Sequence, residues 1–99
     1  MILVPKEVCI DLKLTTMDYG EEISWKFGSC ATHADMWYQD HSVYEIECCQ
    51  PAGDYEFECL DEDGDGWNGA YMEIGGTKVC QDFDDGYVQK QIVAHSAST

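Results

Sequence analysis

Hydrophobic residues recur at every second position along most of the chain. Val8, Ile10, Leu12 and Leu14 alternate with Cys9, Asp11 and Lys13, and Ile23, Trp25 and Phe27 with Ser24 and Lys26. Tyr44, Ile46 and Cys48 alternate with Glu45 and Glu47, Tyr55, Phe57 and Cys59 with Glu56 and Glu58, and Ala70, Met72 and Ile74 with Tyr71 and Glu73. A strand sends successive side chains to opposite faces, so each run predicts a strand with one face in a core and the other in water. Weaker strand patterns cover 78–83 and 87–93. No segment holds a 3.6-residue apolar period over ten residues, so no amphipathic helix is predicted. Turn residues at Gln50-Pro51-Ala52-Gly53-Asp54, Gly75-Gly76 and Asp84-Asp85-Gly86 predict short hairpin connections. The stretch 28–42 has mixed character and reads as a long loop. Seven or eight short strands at this spacing predict an all-β fold, an antiparallel β-sandwich of jelly-roll or immunoglobulin-like type. The expected division is an N-terminal apolar arm or edge strand at 1–7, the sandwich at 8–94 and a flexible polar tail at 95–99.

Charge narrows the partners. Twenty acidic and five basic residues give a net charge of −15. That field repels a nucleic-acid backbone and an anionic membrane surface, so neither is an expected partner. The longest apolar run, Met1-Ile2-Leu3-Val4, is far too short to span a bilayer, so no membrane insertion is expected. It also lacks the basic n-region and full h-region of a signal peptide.

Six cysteines in 99 residues, Cys9, Cys30, Cys48, Cys49, Cys59 and Cys80, predict a disulfide framework and an extracellular setting. A core this thin also needs such staples. Strand parity turns Cys48 and Cys59 inward and Cys9 and Cys49 outward. The adjacent Cys48 and Cys49 therefore take different partners. Fifteen pairings of six cysteines remain open. A zinc site is the rival reading, but no C-x-x-C pair occurs and only Cys30-x-x-His33 has ligand-like spacing.

The segment Leu60-Asp61-Glu62-Asp63-Gly64-Asp65-Gly66-Trp67-Asn68-Gly69 carries the chemistry. Four of its first five residues after Leu60 are acidic. At an effective dielectric of ~20, two carboxylates ~5 Å apart repel by about 3 kcal/mol. The glycines supply the positive-φ positions that wrap a chain around an ion. Hard oxygen donors without imidazole or thiolate favour Ca²⁺ over zinc or copper. Asp61, Asp63, Asp65 and Gly66 match positions one, three, five and six of an EF-hand loop. Position twelve is then Met72 where a bidentate Glu belongs, and the flanks are strands, so an EF-hand is not expected. The rival reading is a solvated acidic turn without an ion. Trp67 and three glycines are more structure than a charge run needs.

The segment resembles the Asp-Ser-Tyr-Gly-Asp-Gly-Trp-x-Gly loop of a small secreted β-domain found in extracellular proteins of algae, protists and marine bacteria. The match runs through Asp61, Gly64, Asp65, Gly66, Trp67, Asn68 and Gly69, with Glu62 and Asp63 in place of Ser-Tyr. The family's upstream Asp-x-Tyr-x-x-Glu-x-Ser-Trp motif is similar to Asp18-Tyr19-Gly20-Glu21-Glu22-Ile23-Ser24-Trp25. The Cys49-Gln50-Pro51-Ala52-Gly53 turn and Tyr55-Glu56-Phe57 follow in the same order, and the likeness covers roughly residues 8–88. It implies an extracellular Ca²⁺-binding sandwich in which Asp18, Glu22, Asp61 and Asp65 meet at one ion. Asp63 and Asn68 of the same loop complete the candidate ligand set. It implies no particular activity.

The remaining residues offer less. His33, His41 and His95 read as solvated loop histidines rather than partners of Cys30 in a metal site. Trp37-Tyr38 can stack on a sugar ring, although an aromatic pair in a small domain is more often core. Trp25 and Trp67 read as core and loop anchor. No nucleophile elbow, phosphate loop or zinc-protease motif occurs, and a small sandwich has little room for a glycosidase cleft, so no enzyme is expected. Asn68 is the only Asn and is not in a sequon, so any glycan would be O-linked, for instance on Thr15, Thr16 or the 96–99 tail. The apolar residues Ile2, Leu3 and Val4 have two readings: an edge strand of their own domain, or an arm that completes a neighbour's sheet. Head-to-tail donation does not close and builds a polymer. The expected function is an extracellular, calcium-stabilised structural module that self-assembles into a fibre or surface coat. The alternative is a glycan-binding or adhesion module of a larger secreted protein.

Overall fold

The computed structural model describes residues 6–32 and 37–96. The assembly residues Ile2, Leu3 and Val4, and His33, lie outside them. Eight strands form: β1 (Glu7–Thr15), β2 (Ile23–Phe27), β3 (Cys30–Ala31), β4 (Val43–Pro51), β5 (Gly53–Asp61), β6 (Tyr71–Ile74), β7 (Thr77–Val79) and β8 (Val88–His95). They make two four-stranded antiparallel sheets of order β4-β1-β6-β7 and β3-β2-β5-β8. The protein is an all-β, disulfide-stapled sandwich, and no α-helix occurs among the described residues.

The alternation sets the register. Leu12 sits opposite Ile46 and Ile74, and Leu14 opposite Tyr44 and Met72. Leu12, Leu14 and Met72 are fully buried while Asp11 and Lys13 face water. On the other sheet Trp25 lies opposite Cys59, and Phe27 opposite Phe57. Trp25 stacks on Phe57 with ring centroids 5.9 Å apart, and Phe27 tilts against Phe57 at 5.5 Å. Such offset pairs contribute about 0.5–1.5 kcal/mol each beyond their burial.

The disulfides pair Cys9 with Cys49, Cys30 with Cys48, and Cys59 with Cys80. Cys9 and Cys49 are opposite rungs of β1 and β4 on their outer face. The other two join the sheets: Cys30–Cys48 bolts β3 to β4, and Cys59–Cys80 ties β5 to the residue after β7. Cys48 and Cys59 point inward as their parity predicts, and Cys48 and Cys49 take different partners.

Several boundaries differ from the sequence reading. β1 begins at Glu7, so that residue belongs to the sandwich rather than to the arm. The 95–99 tail loses its first residue, because His95 closes β8 and is fully buried. Its Nε2–H donates to the Val8 carbonyl at 2.6 Å, and Gln50 Nε2 donates to its Nδ1 at 3.3 Å. With both ring nitrogens partnered, the hydrogen bonds offset the cost of burying the ring inside the core. Two expected hairpins are corners between sheets: β4 and β5 belong to different sheets, as do β7 and β8. Gly75-Gly76 does form a hairpin turn, with φ of 56° and 83° as a two-residue type I′ loop requires. β7 stops at Val79, because Cys80 takes a positive φ of 67° and turns the chain away. The 28–42 loop contains β3 and the buried Tyr38.

Candidate metal centre

The site forms where β2 begins and β5 ends. Ile23 is the Cα partner of Asp61, and Glu62 N–H donates to the Glu22 carbonyl at 3.2 Å. A single 3-10 turn, Gly20–Glu22, delivers Glu22 to this rung. Beyond Asp61 the chain folds back through Gly64 and Gly66, both at φ 80°. Asp61 Oδ2 accepts from Asp65 N–H at 2.7 Å and from Gly66 N–H at 3.1 Å, which closes the loop on its own first acid. Trp67 anchors the far side. It is fully buried and its Nε1–H donates to the Leu60 carbonyl at 2.9 Å.

A second segment, between β7 and β8, braces the loop. Trp67 N–H donates to the Phe83 carbonyl at 2.8 Å, Gly86 N–H to the Gly64 carbonyl at 2.9 Å, and Asp61 N–H to the Tyr87 carbonyl at 2.9 Å. Phe83 and Trp67 pack with ring centroids 6.5 Å apart. Gly66 runs so close that a Cβ there would meet the Phe83 carbonyl oxygen at 2.3 Å. Gly66→Ala is therefore expected to cost about 2–3 kcal/mol, combining strain at positive φ with a backbone clash. Gly76→Ala, at φ 83° with nothing within 4 Å, is expected to cost only about 1 kcal/mol. Urea unfolding of both variants checks this, and equal losses would mean that the close approach does not matter.

Carboxylate oxygens of Glu22, Asp61 and Asp65 all lie within 4.8 Å of one another. Asp61 is 4% exposed. Its Oδ1 and Glu22 Oε2 are buried and have no hydrogen-bond partner. Glu22 is pushed up from 4.5 to about 8, first by a proton shared with the Asp63 carboxyl, then by burial and by the charges of Asp63, Asp65 and Asp61. Asp61 is raised by burial and by its contact with the Asp65 carboxyl, against the two backbone N–H groups that lower it. Two buried acceptors without donors, among mutually repelling acids, are the arrangement that a bound cation resolves. The donor set is oxygen only, which suits Ca²⁺ or another hard divalent ion.

The candidate ligands divide accordingly. Glu22, Asp61 and Asp65 come together, and Asp63 acts on Glu22 by raising its pKa. Asp18 is exposed and accepts a 2.8 Å hydrogen bond from His41 Nε2, apart from that cluster. Asn68, at φ 55°, donates through Nδ2 to the Gly66 carbonyl at 3.4 Å and braces the loop. Cys30 is in a disulfide, which removes it from any site with His33 and His41. Trp37 and Tyr38 do not form a two-ring platform. Trp37 is 66% exposed, but Tyr38 is buried with its hydroxyl accepting from Trp25 Nε1 at 3.0 Å. The sequence reading missed Tyr87, whose ring lies over Gly64 and would meet a Cβ there at 2.6 Å.

Comparison with protein-family models, with curated proteins and with solved structures finds no match for this chain.

Proposed function

We propose that this is an extracellular structural module, stabilised by Ca²⁺ at Glu22, Asp61, Asp63 and Asp65, that self-assembles into a fibre or surface coat through its N-terminal segment. The calcium reading rests on one observation: the buried, partnerless oxygens of Asp61 and Glu22 sit in a cluster of acids. When bound, the ion supplies the positive charge that the cluster lacks. The protein's own part is to hold the carboxylates together with Gly64, Gly66 and Trp67.

Three disulfides indicate an oxidising, extracellular-type environment. Secretion is part of the proposal. No helix among the described residues is long and apolar enough to cross a membrane. Self-assembly is supported by the uncharged run Met1 to Pro5 and by the outer edge of β8, to which no strand is paired among the described residues. The exposed rings of Tyr19 and Tyr87, one bonded to Glu22 through its carbonyl and the other to Asp61, keep a glycan-binding reading in play.

The test compares the full chain with residues 6–99 in calcium by negative-stain microscopy and light scattering. Filaments or sheets from the full chain, and folded monomers from the truncated one, are expected. If the truncated chain still assembles, the N-terminal segment is not the connector. If it fails to fold, the segment belongs to its own domain.

A further inference from the structure

We infer that the groove between β7 and β8 is the acceptor for residues 1–5 of a second copy of the chain. The inference rests on the self-assembly proposed above and names the surface that receives the segment.

The two sides of the sandwich differ. On one side the edge strands β3 and β4 are bolted together by Cys30–Cys48. On the other, β7 and β8 are edge strands with no further strand paired to them among the described residues. A groove of about 740 Å³ runs between them. Ile10, Ile74, Val79, Ile92 and Val93 line it. Ile74 and Val79 are buried in its floor, while Ile92 is 67% exposed at its rim. β8 is eight residues long, with one charged side chain, Lys90, along its whole length. Asp11 and Gln91 also line the groove, and a long, sparsely charged edge beside a groove that carries isoleucine and valine side chains is the kind of surface that sheet proteins otherwise keep covered.

The occupant follows from composition, charge and direction. A body with a net charge of −15 repels another copy of itself. Residues 1–5 carry no charged side chain, and the next residue is Lys6. They can therefore approach a second body without adding to that repulsion. Their unbroken apolar run suits a strand that hydrogen-bonds to the β8 edge and seats every second side chain in the groove. Extended, five residues span about 17 Å, enough to pair with about five residues of β8.

Direction favours another chain over the same one. Glu7, where β1 begins, pairs with Pro51, the last residue of β4. The Val8 carbonyl already accepts from His95, at the end of β8. To reach its own groove the segment would have to reverse at Pro5 and Lys6 and run parallel to β8, and parallel pairing is the weaker kind. A second copy is free to dock antiparallel.

The experiment uses the full chain with a photo-crosslinking phenylalanine at Leu3. Equal amounts of unlabelled and nitrogen-15 chains are mixed, assembled in calcium, irradiated and mapped by mass spectrometry. Mixed-isotope crosslinks to 74–79 or 91–96 are expected. Crosslinks to those residues within single chains only would overturn the inference, since the segment then covers its own groove. Assembly with crosslinks elsewhere would overturn the acceptor and leave self-assembly standing. A full chain that stays monomeric at every concentration would remove the reading beneath it. Ile92→Gln provides a second check, because the residue is exposed and an uncharged side chain there places no second acid opposite Glu56, its cross-strand partner. It is expected to raise the concentration needed for assembly by about tenfold without moving the melting midpoint. Unchanged assembly would overturn the assignment.

Discussion

Calcium at about a hundredfold excess over its Kd is expected to raise the melting midpoint by about 10–20 °C over the chelated protein. Binding to the native state alone stabilises by RT ln(1 + [L]/Kd), about 2.7 kcal/mol at that excess. For a domain of this size each kcal/mol moves the midpoint by about 4–8 °C. Asp61→Asn discriminates between an ion site and a merely acidic turn. Its carbonyl oxygen still accepts from Asp65 and Gly66 N–H, and its amide puts a donor where Asp61 Oδ1 has no partner. The variant should therefore melt no lower than the parent in chelator, yet lose most of the calcium response. Equal parent midpoints with calcium and with chelator would remove the metal centre.

The same acids give the calcium-free protein an inverted pH dependence. Glu22 titrates at about 8 when folded, against an ordinary 4.5, so the native state holds the extra proton between these values. Stability from such a group is complete below its unfolded value and is lost as pH rises through its folded one. The chelated protein should thus melt progressively lower between pH 5 and pH 8. Saturating calcium should flatten or reverse that trend, and binding near neutral pH should release protons into a weakly buffered solution. A chelated protein that gains stability over this range would show that Glu22 is not held as described.

Full reduction is expected to unfold the chain at room temperature in the absence of calcium. The bridges span 40, 18 and 21 residues. In the chain-entropy account loops of that length contribute about 3–4 kcal/mol each. Their sum is comparable to the whole stability of about 5–15 kcal/mol of an ordinary domain. Access orders the loss: Cys9 is exposed on an outer face, whereas Cys59 and Cys80 are buried between the sheets. Mild reductant should open Cys9–Cys49 first and leave the tryptophan emission of Trp25 and Trp67 unchanged. Stronger reductant should shift that emission to the red in one step. A reduced chain that keeps a cooperative melt near the parent midpoint would show that the core suffices without its staples.

The strands were legible because a two-residue period leaves few other solutions. Leu12 and Leu14 against Asp11 and Lys13 define a buried face before any partner is known. Partners are another matter, since sheet pairing is non-local. Gln50-Pro51-Ala52-Gly53-Asp54 has the chemistry of a hairpin turn, and that chemistry equally suits the corner it makes. His95 looked like part of a polar tail because its two partners, Val8 and Gln50, lie 87 and 45 residues away. The acids of the loop were legible as a cluster, being neighbours in one decapeptide. Glu22 entered only through the upstream motif, and Asp18 of that motif instead pairs with His41. The brace from Phe83 to Tyr87 left no trace, because it acts mainly through carbonyl oxygens that every residue carries.

The adjacent Cys48 and Cys49 also act as a phase marker for β4. Shifting a strand by one residue along its partner inverts every side chain, and the polar face of β4 is rich enough in glutamates for the error to be costly but in principle reachable. Here one cysteine is tied to a β3 residue across the sandwich and its neighbour to a β1 residue on the outer face. A slip by one residue would send Cys48 out and Cys49 in, and neither bond could then close. The pairing of Cys9 with Cys49 and of Cys30 with Cys48, rather than of Cys9 with Cys48 and of Cys30 with Cys49, therefore records the phase of the strand as well as stapling it.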